Sequence, residues 1–204
     1  DTIKKIIQDF FQEGTVTIVG SGLSLAEGIP GMGELAKKLQ MEIPGLLSAT
    51  GDIKNWNNIE NDLAKGVGLE EALHNTKPSS YVEECIRKVT AIYIGEADKR
   101  LLTDIVKTGK QLRFSEYLQR FNIRNEGMTV ITTNYDRLLE YACETNEIMA
   151  DTLFVGKYIA RFKPNQSKYA SCIGVQRTNG KGKKLQYSPR VIILKPHGCL
   201  SWHL

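Results

Sequence analysis

The chain of 204 residues contains no two cysteines spaced C-x-x-C; Cys85, Cys143, Cys172 and Cys199 stand far apart. That spacing excludes a zinc ribbon built from paired thiolates. A chain this long can build a core without disulfide staples, so reduced thiols in a cytoplasmic protein are the expectation. Long apolar runs are missing as well. The longest purely aliphatic stretch is Val191-Ile192-Ile193-Leu194, far short of the ~18 apolar residues of a membrane span. No charged, apolar and small-residue order of a signal peptide opens the chain. Charge of one sign is scarce too. Lys+Arg 27 against Asp+Glu 23 leaves a formal +4, with no basic cluster that argues for nucleic acid. Internal repeats and low-complexity tracts are absent. Apolar residues are 41% of the chain, enough for a core, which excludes a wholly disordered tail. The chain begins at Asp1 and stops at Leu204 just after a strand-like segment, and is expected to be part of something longer.

Hydrophobic spacing organises what is there. Ile3, Ile6, Ile7 and Phe10 mark one helical face. Thr15 to Val19 is β-branched throughout and reads as a short buried strand. Gly20-Ser21-Gly22-Leu23-Ser24 follows, then a short segment that Gly28 would end, a turn at Ile29-Pro30-Gly31, and a helix from about Met32 to Met41. Residues 42–121 read as helical, broken at Pro44-Gly45, Gly66-Val67-Gly68 and Lys77-Pro78, an inserted subdomain rather than a linker. Its clearest helix carries Leu112, Phe114, Tyr117, Leu118 and Phe121. Met128 to Thr132 is a second strand, followed by a helix with Leu138, Leu139, Ala142 and Cys143. Asp151 to Val155 reads as a third strand. Two strand-like runs flank hairpin-turn chemistry at Thr178 to Lys184, and Val191 to Leu194 is the last buried strand. Strands alternating with helices predict an α/β fold, Rossmann-like, with a mainly parallel sheet and an inserted helical subdomain.

Three polar loops each follow a strand directly, and in an open α/β sheet such loops converge at the carboxyl edge, where ligands bind. In the first, Gly20, Ser21, Gly22 and Ser24 offer close backbone approach and helix N–H groups to an anion. Leu25 stands where a dinucleotide fingerprint has its third glycine. In the second, Thr133-Asn134-Tyr135-Asp136 has side chains that could orient a water or a ribose, though Asn and Asp also suit any helix start. In the third, His197 sits in a Pro-His-Gly turn outside a core, where an imidazole can serve as a base.

These residues carry a resemblance. Gly20 to Pro30, reading Gly-Ser-Gly-Leu-Ser-Leu-Ala-Glu-Gly-Ile-Pro, is similar to the sirtuin signature Gly-Ala-Gly-Ile-Ser-x-x-x-Gly-Ile-Pro. Thr133-Asn134-Tyr135-Asp136 matches the family's Gln-Asn-Ile-Asp at Asn and Asp, and Lys195-Pro196-His197-Gly198 resembles its His-Gly turn. The order is the family's, across residues 20–198. Two features depart from the deacylases: Gly31-Met32-Gly33 replaces Asp-Phe-Arg, and the paired zinc cysteines are missing. Thr132 to Asp136, the Lys-Pro-His-Gly turn and the missing zinc resemble instead the sirtuin-like domains of bacterial anti-phage proteins.

The resemblance implies one NAD-binding domain over 1–204 that hydrolyses NAD without a metal. Gly20, Ser21, Gly22 and Ser24 would hold phosphate and ribose, with Thr133 and Gly198 beside them. Asn134 would position water or the nicotinamide ribose, Asp136 would bind the carboxamide, His197 would act as base, and Pro30 would belong to a lid. It further implies control by a homo-oligomer, another defence protein or a phage-derived trigger. Rival readings are an NAD-dependent protein deacylase, an inactive NAD or ADP-ribose sensor, and a Cys-His hydrolase using Cys199. For that last reading a buried apolar cysteine is the plainer account. Lys181, Lys183 and Lys184 read as a solvated hairpin tip, with contact to a nucleic-acid or protein partner as the alternative.

Overall fold

A computed structural model describes Lys5 and residues 14–121, 123, 127–156, 159–177 and 183–199. The helix expected over Thr2 to Phe11, apart from Lys5, and residues 178–182 of the expected turn lie outside the described residues.

Four parallel strands form the central sheet: β1 (Val16–Val19), β2 (Met128–Thr132), β3 (Met149–Asp151) and β8 (Arg190–Leu194), in the order β1-β2-β8-β3. The register sets Val19 opposite Thr132 and Ile131 opposite Leu194, so the ends of β1, β2 and β8 reach the same edge. The α/β, Rossmann-like reading is therefore correct. Met128 and Val130 on β2 and Val191 and Ile193 on β8 are buried at alternate positions and so line the face packed on the core, while Thr129, Ile131, Ile192 and Leu194 on the other face are half-buried. β1 is not the buried strand expected. It lies at the sheet edge, with Val16 and Ile18 52% and 79% exposed while Val19 packs inward. A β-branched run is compatible with either place, because propensity does not report which neighbours a strand finds.

The third strand also differs from expectation. β3 ends at Asp151, Leu153 takes φ 65°, and Phe154–Val155 becomes β4, pairing antiparallel with β5 (Arg161–Phe162). Asp151 causes the break. Its carboxylate accepts from the Leu153 N–H at 2.9 Å and from Arg190 at 2.5 Å, an Asx-type turn closed by a buried ion pair. The expected pair of strands near the carboxyl end is a separate antiparallel hairpin, β6 (Cys172–Arg177) with β7 (Lys183–Tyr187).

The helices are α1 (Ser21–Ala26), α2 (Met32–Glu42), α3 (Thr50–Ala64), α4 (Leu69–Asn75), α5 (Ser80–Thr108), α6 (Arg113–Leu118), α7 (Leu138–Glu144) and α8 (Pro164–Ala170). The breaks at Gly66 to Gly68 and Lys77-Pro78 fall between α3 and α4 and between α4 and α5, and Pro44-Gly45 lies in a 3-10 turn. Leu112 to Phe121 is shorter than expected: Leu112 is the N-cap of α6, and helix ends at Leu118. Two apolar cores result. One joins α2, α3, α4 and the first half of α5 through Leu39, Ile43, Trp56, Ile59 and Val82. The other joins the sheet to α7 and the second half of α5 through Ile94, Leu101, Val130, Leu138 and Ile193. α5, 29 residues and so ~43 Å long, runs through both, and Tyr93 touches each.

Candidate active site

β1 runs straight into α1, so the expected glycine-rich loop is a helix start. Gly20 is the N-cap, in extended conformation and with no side chain capping the first turn. Among the described residues the first amide groups of α1 therefore have no side-chain cap, which is what an anion needs. At its far end α1 closes in a Schellman arrangement. Gly28, at φ 86°, donates its N–H to Leu25, and Ile29 donates to Ser24. That left-handed position requires glycine. Glu27 is buried there and accepts from the Arg113 N–H at 2.8 Å and from Lys110 at 3.0 Å, tying α1 to the corner between α5 and α6.

The segment after β2 docks on α1 through side chains. Asn134 donates through Nδ2 to the Gly20 carbonyl at 3.0 Å and to Ser24 Oγ at 2.7 Å. A carbonyl can only accept, so that contact sets which end of the amide is nitrogen. Among the described residues, Asn134 Oδ1 accepts no hydrogen bond. Ser24, 3% exposed, donates its hydroxyl hydrogen bond to Asp136 Oδ2 at 2.7 Å. Asp136 Oδ1 accepts from the Leu138 N–H at 3.1 Å. Asp136, whose carboxylate was expected to meet a carboxamide, is thus 4% exposed with both oxygens already engaged.

After β8, Lys195 turns back toward α7. Its ammonium donates to the Asp136 carbonyl and pairs with Glu140 at 2.9 Å. Gly198, at φ 95°, donates its N–H to the Lys195 carbonyl at 3.0 Å and leaves His197 exposed on the turn. Burial pushes the Glu140 carboxyl above its usual range, and Lys195 opposes that shift. Cys143 is raised to about 12 by burial, with Glu140 and Glu144 adding to it, so it stays a neutral thiol. Cys199 is 9% exposed, with Sγ 3.5 Å from Lys195 Nζ.

A cleft of about 500 Å³ opens over these three strand ends, within the ~300–1,000 Å³ usual for small-molecule sites. Of the residues singled out from sequence, Ser21, Ser24, Pro30, Thr133, Asn134, Asp136 and His197 line it, whereas Gly20, Gly22 and Gly198 are not among the lining residues. Sequence reasoning missed the opposite wall. Gly68, Leu69, Glu70 and Glu71 come from the start of α4, and Ile94 from α5. A Gly-x-Gly break before a helix was legible, but nothing local says that it faces β1. No lysine or arginine among the described residues lines the cleft.

Among the described residues no three His, Cys, Asp or Glu side chains are placed to hold a metal ion. No helix among them is long and apolar enough to cross a membrane. No curated protein matches the chain. A family model for the SIR2-like domain matches residues 128–203, which takes in β2 with Asn134 and Asp136 and β8 with His197. That match spans less than half of the chain, and over this carboxyl-terminal part the chain is similar to SIR2-like domains.

Proposed function

We propose that the chain is an NAD glycohydrolase. One observation carries this reading: Asn134 and His197, from different strand ends, line the same cleft as the uncapped start of α1. NAD offers a good leaving group, because the pyridinium nitrogen takes the electron pair of the broken C1′–N bond and leaves as neutral nicotinamide. The ribose passes through an oxocarbenium-like state, as in glycoside hydrolysis generally. Water adds to C1′ and its proton goes to a base, giving ADP-ribose.

In this reading the Ser21 amide at the start of α1 faces the pyrophosphate, as no lysine or arginine among the described residues lines the cleft. Asn134, with Nδ2 committed to Gly20 and Ser24, has its carboxamide oxygen left to accept from the attacking water or a ribose hydroxyl. His197, exposed on its turn, takes the proton. Asp136 acts from behind, holding Ser24 and through it Asn134. Pro30 and Gly31, between α1 and α2, form the rim that limits water. By resemblance, the setting is depletion of cytoplasmic NAD in anti-phage defence, under control of a homo-oligomer, a partner protein or a phage-derived trigger.

The test is incubation with NAD, with and without the trigger, and separation of products by liquid chromatography and mass spectrometry. Nicotinamide and ADP-ribose are expected, and Asn134→Ala and His197→Ala should abolish both. Intact NAD with binding retained would overturn the hydrolase in favour of a sensor. Turnover only with an acyl-lysine peptide would instead establish a deacylase.

A further inference from the structure

The peptide group joining Asp136 to Arg137 is gripped at both polar atoms by buried charges. The Lys195 ammonium lies on its carbonyl oxygen. The Asp98 carboxylate, on α5, accepts from its N–H through Oδ1 at 2.8 Å. Neither charge is there merely to satisfy a partner's side chain. Lys195, its side chain 1% exposed, already has Glu140 at 2.9 Å. Asp98, fully buried, already takes Arg137 Nη2 at 2.5 Å, Arg137 Nε at 3.0 Å and the Tyr141 hydroxyl at 2.7 Å through Oδ2.

Buried ion pairs are a weak source of stability, because apolar residues of similar volume often serve as well. Lys195 with Glu140, and Asp98 with an Arg137 whose side chain is 38% exposed, converge on one peptide beside the cleft, which suggests geometry rather than stability. The peptide plane cannot rotate without costing each buried charge one of its hydrogen bonds. With the plane held, Asp136 keeps Ser24 at 2.7 Å, and Ser24 keeps Asn134 at 2.7 Å. The backbone of Lys195 meanwhile begins the turn that carries His197. One residue thus grips the Asn134 side of the cleft with its ammonium and starts the His197 side with its carbonyl.

We infer that Lys195 and Asp98 are positioning residues that clamp the Asp136–Arg137 peptide and so set Asn134 against His197. This rests on the hydrolase reading, and a second readout makes it separable from that reading. Lys195→Met and Asp98→Asn are compared with the parent for kcat and KM on NAD, and by NMR for hydrogen exchange at the Arg137 amide. Misplacement of a catalytic group by about 1 Å costs on the order of 10²-fold. Lys195→Met should lower kcat by roughly that factor with KM little changed, the pattern of an interaction that acts in the transition state. Asp98→Asn keeps an acceptor and should lose less, and Lys195→Arg should recover part of the rate. The Arg137 amide should exchange faster in Lys195→Met and in Asp98→Asn.

A folded Lys195→Met with parental kcat, or with unchanged exchange at Arg137, would overturn the clamp. So would loss of the fold in both variants, which would mark the charges as elements of stability. Faster exchange in the variants of a parent that never consumes NAD would uphold the clamp and overturn the hydrolase.

Discussion

The two apolar cores are built differently. Among the described residues every buried polar or charged side chain lies outside 32–89, the stretch that supplies the helical core. That core is held by Leu35, Leu39, Ile43, Trp56 and their neighbours, with no charge inside it. The sheet core, by contrast, is ringed at its carboxyl edge by Ser24, Asp98, Asp136 and Lys195, each buried and each hydrogen-bonded. Burial of apolar surface is non-directional and tolerates repacking. Hydrogen-bonded charges demand particular distances and angles. Stability and one wall of the cleft come from the first region, and chemical geometry from the second.

The comparison breaks most readily at the groups proposed to react. His197→Ala should lose about 10²–10⁴-fold in turnover, the range for a general base. Because His197 is exposed, its thermal midpoint should hold. A fall in midpoint would mean that the turn is structural. The reverse pattern belongs to the helical core. Trp56, 1% exposed, should cost about 3–5 kcal/mol as Trp56→Ala in chemical denaturation. Turnover at a temperature where both proteins are folded should stay unchanged. Among the described residues Trp56 Nε1 is a buried donor without a partner, so Trp56→Phe should destabilise much less than the alanine variant.

A smaller effect tests the strand-to-helix corner. Gly28→Ala places a Cβ at φ 86°, which costs about 1–2 kcal/mol. Nothing lies within 4 Å of that Cβ, so the loss should be conformational alone. The smallest effect is a slope. Burial raises the Glu140 carboxyl in the folded state, so the native protein holds that proton to a higher pH than the unfolded chain does. Stability should therefore fall as pH rises between the unfolded and folded values of Glu140. Glu140→Gln should remove that slope while adding a constant penalty for an unpaired Lys195. Parallel denaturation curves across the acidic range would show otherwise.

Much of the sheet edge was legible because its signals are short-range. Strand periodicity, the left-handed Gly28 and the Pro-His-Gly turn are each properties of a few adjacent residues. The break of the third strand was nearly legible too: Asp151 favours a turn, but its Arg190 partner, 39 residues on, is what buries it. β1 as an edge strand was not legible, since pairing order is decided by residues 110 or more positions away.

The sequence alone determined which polar loops follow the strands, where the helices break and that the fold is α/β, because propensity and turn geometry act locally. Only the tertiary structure decided the commitments of the polar groups. It spent the Asp136 carboxylate on Ser24, set α4 opposite the strand ends as a wall, and brought Lys195 and Asp98 onto one peptide. Those outcomes depend on distances between residues far apart in the chain, and burial turns each such distance into an energy that local sequence does not encode.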